Sequence, residues 1–304
     1  MRFMRIIITV DTEGDNLWDQ KDCKNIETKN ALWLSPFQNL CEKYKYYPVY
    51  LVNYEMAMSD NFCDFAKNKV SNGLCEIGMH LHAWNSPPFY ALGKKYSGNA
   101  YITEYPKDII YEKHKLLMDL IIKNIGVKPQ SYRAGRWATN NNLFDVLEAL
   151  GFLVDCSVTP GINHRFCGQT IRHSNNYRFA SDRPYKLREK LIEVPMTTVV
   201  KHSLNGNSVL RKLKNVSIGE KLWLRPALQD IDTMKLIIDE KKGSDYIMFM
   251  IHSSELMPKG SPYCQTEQDV DFLLNKLDTA FNYATNFGEG VLLENYYHEC
   301  RSKL

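Results

Sequence analysis

The sequence predicts an α/β protein built on a parallel β-sheet that is either open or closed into a barrel. Short apolar, β-branched runs recur along the chain, and segments with apolar residues at helical spacing lie between them. This alternation favours parallel strands, because each parallel strand needs a long crossover connection before the next one. The 304 residues contain no internal repeat, low-complexity tract or clear linker, so one domain is the simplest interpretation.

The individual elements follow from these patterns in order. Strands are predicted at residues 5–10, 48–54, 75–82, 130–134, 152–158, 191–200 and 246–252. Helices are predicted at residues 29–44, 61–70, 106–125, 141–150, 230–240 and 267–285, and Gly151 provides a C-terminal stop for the fourth of them. Residues 160–190 lack either periodicity and are predicted as loop or short hairpins. The whole chain, 1–304, is therefore expected to be a single domain with an irregular basic insertion at about 160–228.

Composition narrows the possible partners and the possible cellular compartment. The net charge of +3 is too small to predict a nucleic-acid or membrane partner. No apolar run reaches the length of a membrane span, so no transmembrane segment is expected. The first apolar run is short and ends at Asp11 and Glu13, unlike a secretory signal peptide, and the eight cysteines form no CxxC pair. These features predict reduced thiols and a cytoplasmic protein.

The charge is unevenly distributed. Residues 165–225 contain thirteen Lys and Arg against four Asp and Glu, a local net charge of +9, which leaves −6 for the rest of the chain. This stretch is either a solvated loop region or a rim that attracts an anionic substrate.

Polar residues follow the ends of the predicted strands. Asp11 and Glu13 share a face if the first strand stays extended, where they suit a base and a metal ligand, although a helix cap or turn also explains them. His80 and His82 share a face at the end of the third strand and form half of a metal site. His252 ends an apolar strand, a position for acid–base chemistry or for a structural histidine.

Two more strand ends carry charge. Arg133 and Arg136 flank Gly135 and either hold a carboxylate or lie on the surface. Asp155 lies inside an apolar run, where burial is costly without a partner, and Arg133 or Arg136 is the expected partner. Because active sites of parallel α/β folds lie at the carboxyl ends of the strands, these groups are expected to meet in one site.

In this order the residues resemble the polysaccharide deacetylases of carbohydrate esterase family 4, the NodB-homology group, and within it an atypical branch associated with surface-polysaccharide biosynthesis. The resemblance runs from Val10 to His252. It implies a distorted (β/α)7-type barrel and a divalent metal, usually zinc, that serves the hydrolysis of acetyl groups on sugars. The segment 9–14 is similar to the family's first motif, which makes Asp11 the base and Glu13 a metal ligand.

The resemblance also assigns roles to the later residues. His80 and His82 stand two apart where the family has His-x-x-x-His, and Trp84 occupies the place of the spaced histidine. The resemblance makes both histidines metal ligands with Glu13. It implies that Arg133 orients the base and that His252 protonates the leaving group. Asp155 matches a family aspartate and is expected to fix Asp11 or His252 together with Arg133. Residues 133–136 lack the Pro-Tyr half of the family's Arg-x-Pro-Tyr motif.

The predicted activity is removal of an N-acetyl or other acyl group from an amino sugar by a metal-dependent deacetylase, with Zn²⁺ as the preferred metal. The expected partner is an acylated amino-sugar precursor on a nucleotide or lipid pyrophosphate carrier, and no nucleic acid. Candidate substrate-binding residues are Trp84, Arg136, Trp137, Arg172, Arg178, Arg183 and Arg225. Two alternatives stay open: an amide hydrolase acting on a small non-sugar, and a catalytically degenerate sugar-binding homologue.

Overall fold

A computed structural model describes residues 3–15, 17, 26–93, 99–164, 175–201 and 220–304. Within these ranges the strands are β1 (Met4–Thr12), β2 (Pro48–Val52), β3 (Glu76–Leu81), β4 (Ser131–Ala134), β5 (Val154–Asp155), β6 (Tyr185–Lys186), β7 (Ile192–Glu193), β8 (Thr198–Lys201), β9 (Glu220–Trp223), β10 (Tyr246–His252) and β11 (Gly288–Gly290). The α-helices are α1 (Leu34–Tyr44), α2 (Tyr54–Ala57), α3 (Asp60–Ser71), α4 (Lys107–Ile125), α5 (Asn141–Leu150), α6 (Ile231–Glu240), α7 (Glu267–Ala284) and α8 (Leu293–Cys300).

The main sheet has the strand order β10-β1-β2-β3-β4-β5-β7-β6, with β11 beside the start of β1. All of these pairs are parallel except the pair of β6 with β7. Because each parallel strand returns through a crossover, the carboxyl ends of β1, β3, β4 and β10 meet at one edge.

The sheet curls, so that the region of β7 comes close to β10. Isolated hydrogen bonds, rather than a continuous ladder, join these two parts of the sheet. Leu224 N donates to Thr197 O, and Met250 N donates to Leu224 O, each at 3.1 Å. Met248 N donates to the hydroxyl of Thr197 at 2.8 Å. The segments flanking the β8–β9 hairpin therefore bridge β7 and β10. The sheet therefore forms a distorted and incompletely closed barrel, as the sequence predicts.

The inside of the barrel is a separate apolar core. Its buried side chains come from alternate positions of the strands, as in Ile7, Leu51, Cys156 and Met248. A side chain at Gly78 would lie 2.4 Å from the Ser131 hydroxyl, so the close packing inside the barrel leaves room there only for glycine. The larger core lies outside the sheet, between its outward residues and the surrounding helices.

The amino end of the barrel is closed by the helix Leu293–Cys300, whose Tyr296 and Tyr297 belong to the interior cluster. Glu294 N donates to the carboxyl of Glu76 at 3.0 Å and ties this helix to the start of β3. The bottom of the barrel is thereby covered, and the site described below opens at the other end.

Several predicted elements need correction. The strand predicted at 191–200 is two strands, β7 and β8, because Pro195 between them has no N–H for a ladder. Strand β5 is much shorter than the predicted 152–158. The hairpin β8–β9, β11 and the helix Leu293–Cys300 were not predicted. No helix in the described part of the chain combines the length and apolarity needed to cross a bilayer.

Candidate active site

The predicted metal ligands and acid–base residues meet at the carboxyl end of the barrel. Asp11 and His252 are register partners at the ends of β1 and β10, and His80 and Arg133 are register partners on β3 and β4. They surround a cavity of about 220 Å³, whose lining comprises Asp11, Glu13, Leu17, His80, His82, Ala134, Arg136, Trp137, Arg225 and His252. Eight of these ten residues are candidate site residues from the sequence, and Leu17 and Ala134 are the other two.

Three side chains converge on one point of this cavity. Oε1 of Glu13 lies 2.7 Å from Nε2 of His80 and 2.9 Å from Nε2 of His82. The two Nε2 atoms are 3.1 Å apart. Both imidazoles thus turn the same nitrogen toward one carboxylate oxygen, although the histidines are only two residues apart on β3. A strand end with alternating side chains makes this possible.

Hydrogen bonding fixes the tautomer of one of these histidines. Nδ1 of His80 lies 2.9 Å from the carbonyl oxygen of Arg133, so Nδ1 carries the proton and donates it there. Nε2 is then the ring nitrogen that faces Glu13 and His82. Burial alone would raise the pKa of Glu13, but the charge of His82 and hydrogen bonds from both histidines hold that pKa well below its usual range.

The backbone around these residues is also anchored. Glu13 N donates to the hydroxyl of Ser253 at 3.0 Å, and the amide of Asn30 donates to Glu13 O at 2.8 Å. A Cβ on Gly135 would lie 2.6 Å from Leu81 O and 2.9 Å from the ring of His82. Glycine is therefore required where β4 ends, because any side chain there would push into the His82 imidazole.

Arg133 holds Asp11 from inside the barrel. Nη1 donates to Oδ1 of Asp11 at 2.6 Å, and Nη2 donates to the hydroxyl of Thr9 at 2.8 Å. Nε donates to Cys156 O at 3.1 Å. Arg133 is fully buried and Asp11 nearly so. The guanidinium thus fixes one carboxylate oxygen of Asp11, while Oδ2 lies 3.9 Å from Nε2 of His252.

A residue that the sequence reasoning missed holds His252. Oε1 of Glu255 lies 3.3 Å from Nδ1 of His252, and Oε2 accepts from the backbone N of His252 at 3.0 Å. Arg225 donates to Oε1 of Glu255 at 2.8 Å and approaches Nδ1 of His252 at 3.2 Å. Against the opposing effect of burial, His252 and Arg225 lower the pKa of Glu255 to about 2. The three-residue spacing from His252 to an acid was the sequence feature that could have revealed Glu255.

The loop after β4 forms one wall of the cavity in a strained conformation. Arg136 and Trp137 are consecutive residues in the left-handed region, with φ of 54° and 60°. The guanidinium of Arg136 lies 3.9 Å over the ring of Tyr101 and donates to Asn99 O, which anchors the loop. The ring of Trp137 lies over Arg133 at 5.4 Å. Both residues line the cavity.

Asp155 does not lie in this site, which corrects the expected role in fixing Asp11 or His252. Its neighbours Val154 and Cys156 pack inside the barrel, so the side chain of Asp155 points to the outer face. There Oδ1 accepts from the hydroxyl of Ser157 at 2.5 Å, and Glu193 is its register partner. The expected ion pair with Arg133 or Arg136 is absent among the described residues, because Arg133 points inward and Arg136 lies beyond the strand end.

The remaining predicted substrate-binding residues are scattered. Trp84 is half-buried, and its ring packs edge-on against His82 at 5.9 Å between centroids. Arg178 is exposed, and the hydroxyl of the adjoining Tyr177 donates to Trp137 O at 2.7 Å, which ties this segment to the cavity wall. Arg172 lies outside the described residues.

Arg183 lies in a segment that the structure puts away from the cavity, near the amino end of the barrel. Its neighbour Asp182 pairs with Lys241 at 2.8 Å. Lys241 follows α6 on the connection into the amino end of β10, away from the site. After Tyr177 the chain runs back toward the amino end of the barrel before it enters β7. The number of basic residues in a segment does not predict this change of direction.

No protein-family model matches the sequence, and no curated protein matches it. Solved structures do match. A protein described as a polysaccharide deacetylase from Mycobacterium smegmatis superposes with a TM-score of 0.60 and 12% identity, covering 99% of this chain and 91% of that chain. PuuE allantoinase gives 0.55 and 12%, covering 98% and 90%. A 4-alpha-glucanotransferase from Thermococcus litoralis gives 0.58 and 11%, covering 98% of this chain but 41% of that chain.

These similarities establish the fold, which is that of the NodB-homology polysaccharide deacetylases and carbohydrate esterase family 4. The matching structures are named for different reactions. A shared barrel therefore leaves the activity to be argued from the side chains at its carboxyl end.

Proposed function

We propose that this protein is a metal-dependent hydrolase that removes an acyl group, foremost an N-acetyl group, from an amino sugar. The observation that carries the proposal is the convergence of Glu13, His80 and His82 beside Asp11 and His252 in one cavity. A binding module would have no use for a ligand set, a base and an acid together. The fold supports the choice of an acylated sugar, since a structural neighbour is described as a polysaccharide deacetylase.

The ligand set fits a divalent metal. Two imidazole nitrogens and a carboxylate oxygen within 3.1 Å of one another are donors of the kind that zinc prefers. The tautomer set by the Arg133 carbonyl leaves Nε2 of His80 as an acceptor, so it needs a proton or a cation opposite it. A metal bound there supplies Lewis-acid activation of water and of the acyl oxygen.

Asp11 and His252 divide the proton transfers. Asp11 accepts a proton from the attacking water, and His252 donates a proton to the departing amine nitrogen. The distance of 3.9 Å between Asp11 Oδ2 and His252 Nε2 supports this division, because two groups so close can act on one acyl group. Arg133 aligns the Asp11 carboxylate, and Glu255 aligns the His252 ring.

The test is acetate release by the zinc-loaded protein from N-acetyl sugars and from small non-sugar amides at matched concentrations. We expect turnover of the sugars and loss of turnover after removal of the metal with a chelator, restored by zinc. Turnover of the non-sugar amides alone would replace the proposal by the small-amide alternative. Bound zinc with no turnover of either class would favour the degenerate binding protein.

We further propose that the substrate is a cytoplasmic precursor of a surface polysaccharide, carried on a nucleotide or lipid pyrophosphate. The support is the basic stretch 165–225 together with two guanidinium groups at the cavity, those of Arg136 and Arg225. The exposed Arg178, next to Tyr177 in the segment tied to Trp137, is a third candidate. Arginine suits pyrophosphate because its donors pair with two oxygens at once.

Rates on UDP-N-acetylglucosamine and on free N-acetylglucosamine, each at low and high salt, test the carrier. We expect a higher kcat/KM for the nucleotide-linked sugar and a decline of this advantage with salt. Arg178→Gln should reduce the advantage, whereas Arg183→Gln, at the far end of the barrel, should leave it unchanged. Equal rates at both salt concentrations would contradict the carrier and leave the deacetylase proposal intact.

A further inference from the structure

Two buried carboxyl groups face each other on the outer side of the barrel. Asp155 on β5 and Glu193 on β7 are register partners, and both are fully buried. Tyr132 and Tyr185 continue the same row on β4 and β6. Two carboxyl groups in contact cannot both ionise without strong repulsion in a site that excludes water.

Each carboxyl has one oxygen already satisfied. Oδ1 of Asp155 accepts from the hydroxyl of Ser157 at 2.5 Å, and Oε1 of Glu193 accepts from Val158 N at 2.9 Å. The other two oxygens, Oδ2 of Asp155 and Oε2 of Glu193, have no donor among the described residues. The two side chains are within hydrogen-bonding contact. A single proton held between them would satisfy both oxygens.

This pair is linked to the site through one hydroxyl. Ser157 accepts from Ala134 N at 2.8 Å, while its own proton goes to Asp155. The ladder pairing of β4 with β5 stops at Tyr132. The hydrogen bond from Ala134 N to the Ser157 hydroxyl therefore takes the place of the next backbone hydrogen bond between the two strands. Ala134 directly follows Arg133 and precedes the loop Gly135–Trp137, so the carboxyl pair supports the strand end that holds Asp11.

Few groups near the pair can compensate a negative charge on it. The titratable groups close enough to interact with it electrostatically are Tyr132, Tyr177 and Tyr185, together with Arg133, Cys156 and Tyr246, which point to the inside of the barrel. Of these, Arg133 is cationic, but it is bound by Asp11 on the inner face. Burial raises the pKa of Asp155 to about 6, and burial together with Asp155 raises that of Glu193 well above its usual range.

We propose that Asp155 and Glu193 share one proton and act as a positioning pair, which keeps the carboxyl ends of β4 and β5 together while protonated and releases them when it ionises. The proposal rests on the proposed function for its effect on activity, but not for its effect on stability. Loss of the shared proton would move Ala134, and with it the Arg133 guanidinium that aligns Asp11.

The direction of the pH effect follows from the raised pKa of both carboxyls. The folded protein keeps a proton that the unfolded chain releases above about pH 4. The stability due to this proton is fully present below about pH 4. It is lost as the pH rises through the raised pKa of the folded state, about 6 for Asp155.

The experiment compares Glu193→Gln with the wild-type protein, both loaded with zinc, across the pH range. The amide of the variant donates to Asp155 as the shared proton does, but it cannot ionise. We expect the ratio of kcat/KM, variant over wild type, to rise with pH by up to ~tenfold per unit above the pKa of the pair. Asp155→Asn should give the same rise, because either amide replaces the same proton. Glu240→Gln, the same change at an exposed position, should give a flat ratio.

A flat ratio for both amide variants would overturn the positioning role. Thermal unfolding of the same proteins supplies a readout that needs no substrate: the wild-type Tm should fall with rising pH more steeply than that of either amide variant. Parallel Tm curves would overturn the shared proton. Absence of acetate release in every protein would contradict the proposed function, while the Tm comparison would still decide the proton.

Discussion

The two faces of the barrel treat a buried aspartate in opposite ways. Asp11 points inward at the end of β1 and has the Arg133 guanidinium at 2.6 Å and a histidine opposite. Asp155 points outward from β5 and faces a second carboxyl, that of Glu193. The difference teaches that burial alone does not identify a catalytic carboxylate. The strand face decides which neighbour a carboxyl meets, which is a guanidinium for Asp11 and a second carboxyl for Asp155.

Removing one of the three proposed metal ligands, Glu13, His80 and His82, should have the largest effect. His80→Ala takes away an imidazole nitrogen and leaves Glu13 with one histidine partner, so we expect loss of stoichiometric zinc and of measurable turnover. Elemental analysis of the purified variant and the acetate-release assay measure both. His298→Ala, a histidine on the helix at the amino end, is the matched control. Full zinc occupancy in His80→Ala would show that this residue is not a ligand.

Replacement of the inner aspartate comes next. Asp11→Asn keeps the shape and a hydrogen-bond acceptor for Arg133 but removes the basic oxygen, so we expect a loss of roughly 10²–10⁴-fold in kcat with zinc retained. The measurement is steady-state kinetics together with the zinc content. Unchanged kcat in this variant would exclude Asp11 as the base.

A smaller loss is expected where a residue acts through another. Glu255→Gln keeps the contacts to His252 but removes the carboxylate charge that lies between His252 and Arg225, so we expect a loss of roughly tenfold in kcat. The loss should be larger for substrates with poor leaving groups, because His252 donates the proton to the leaving nitrogen. A loss independent of the leaving group would argue against this link.

The smallest effect is expected for Asp155, and it gives the clearest contrast with Asp11. Asp155→Asn reproduces the protonated state of the outer pair, so at pH 5–6 we expect kcat within about twofold of wild type. The role that the family resemblance assigns to Asp155 requires a large loss instead. Kinetics of Asp11→Asn and Asp155→Asn, measured side by side, therefore separate the inner aspartate from the outer one.

The fold followed from the sequence because its information is local. The period of two in residues 76–82 and the helical periods between the strands predict a parallel α/β sheet without knowledge of any contact. The order of polar residues after the strands also placed Asp11, Glu13, His80, His82, Arg133 and His252 at one edge, since parallel strands share that edge.

Tertiary structure decided everything that depends on which strand lies beside which. The pairing of β5 with β7 set Asp155 against Glu193 on the outer face, although residues 152–158 resemble any other strand of the barrel. After Tyr177 the chain runs toward the amino end of the barrel, so Arg183 lies away from the cavity. The short turn after β10 puts the carboxyl of Glu255 beside the ring of His252. Sequence periodicity fixes the face of a residue only within a correctly bounded strand, and it carries no record of the partner across the sheet.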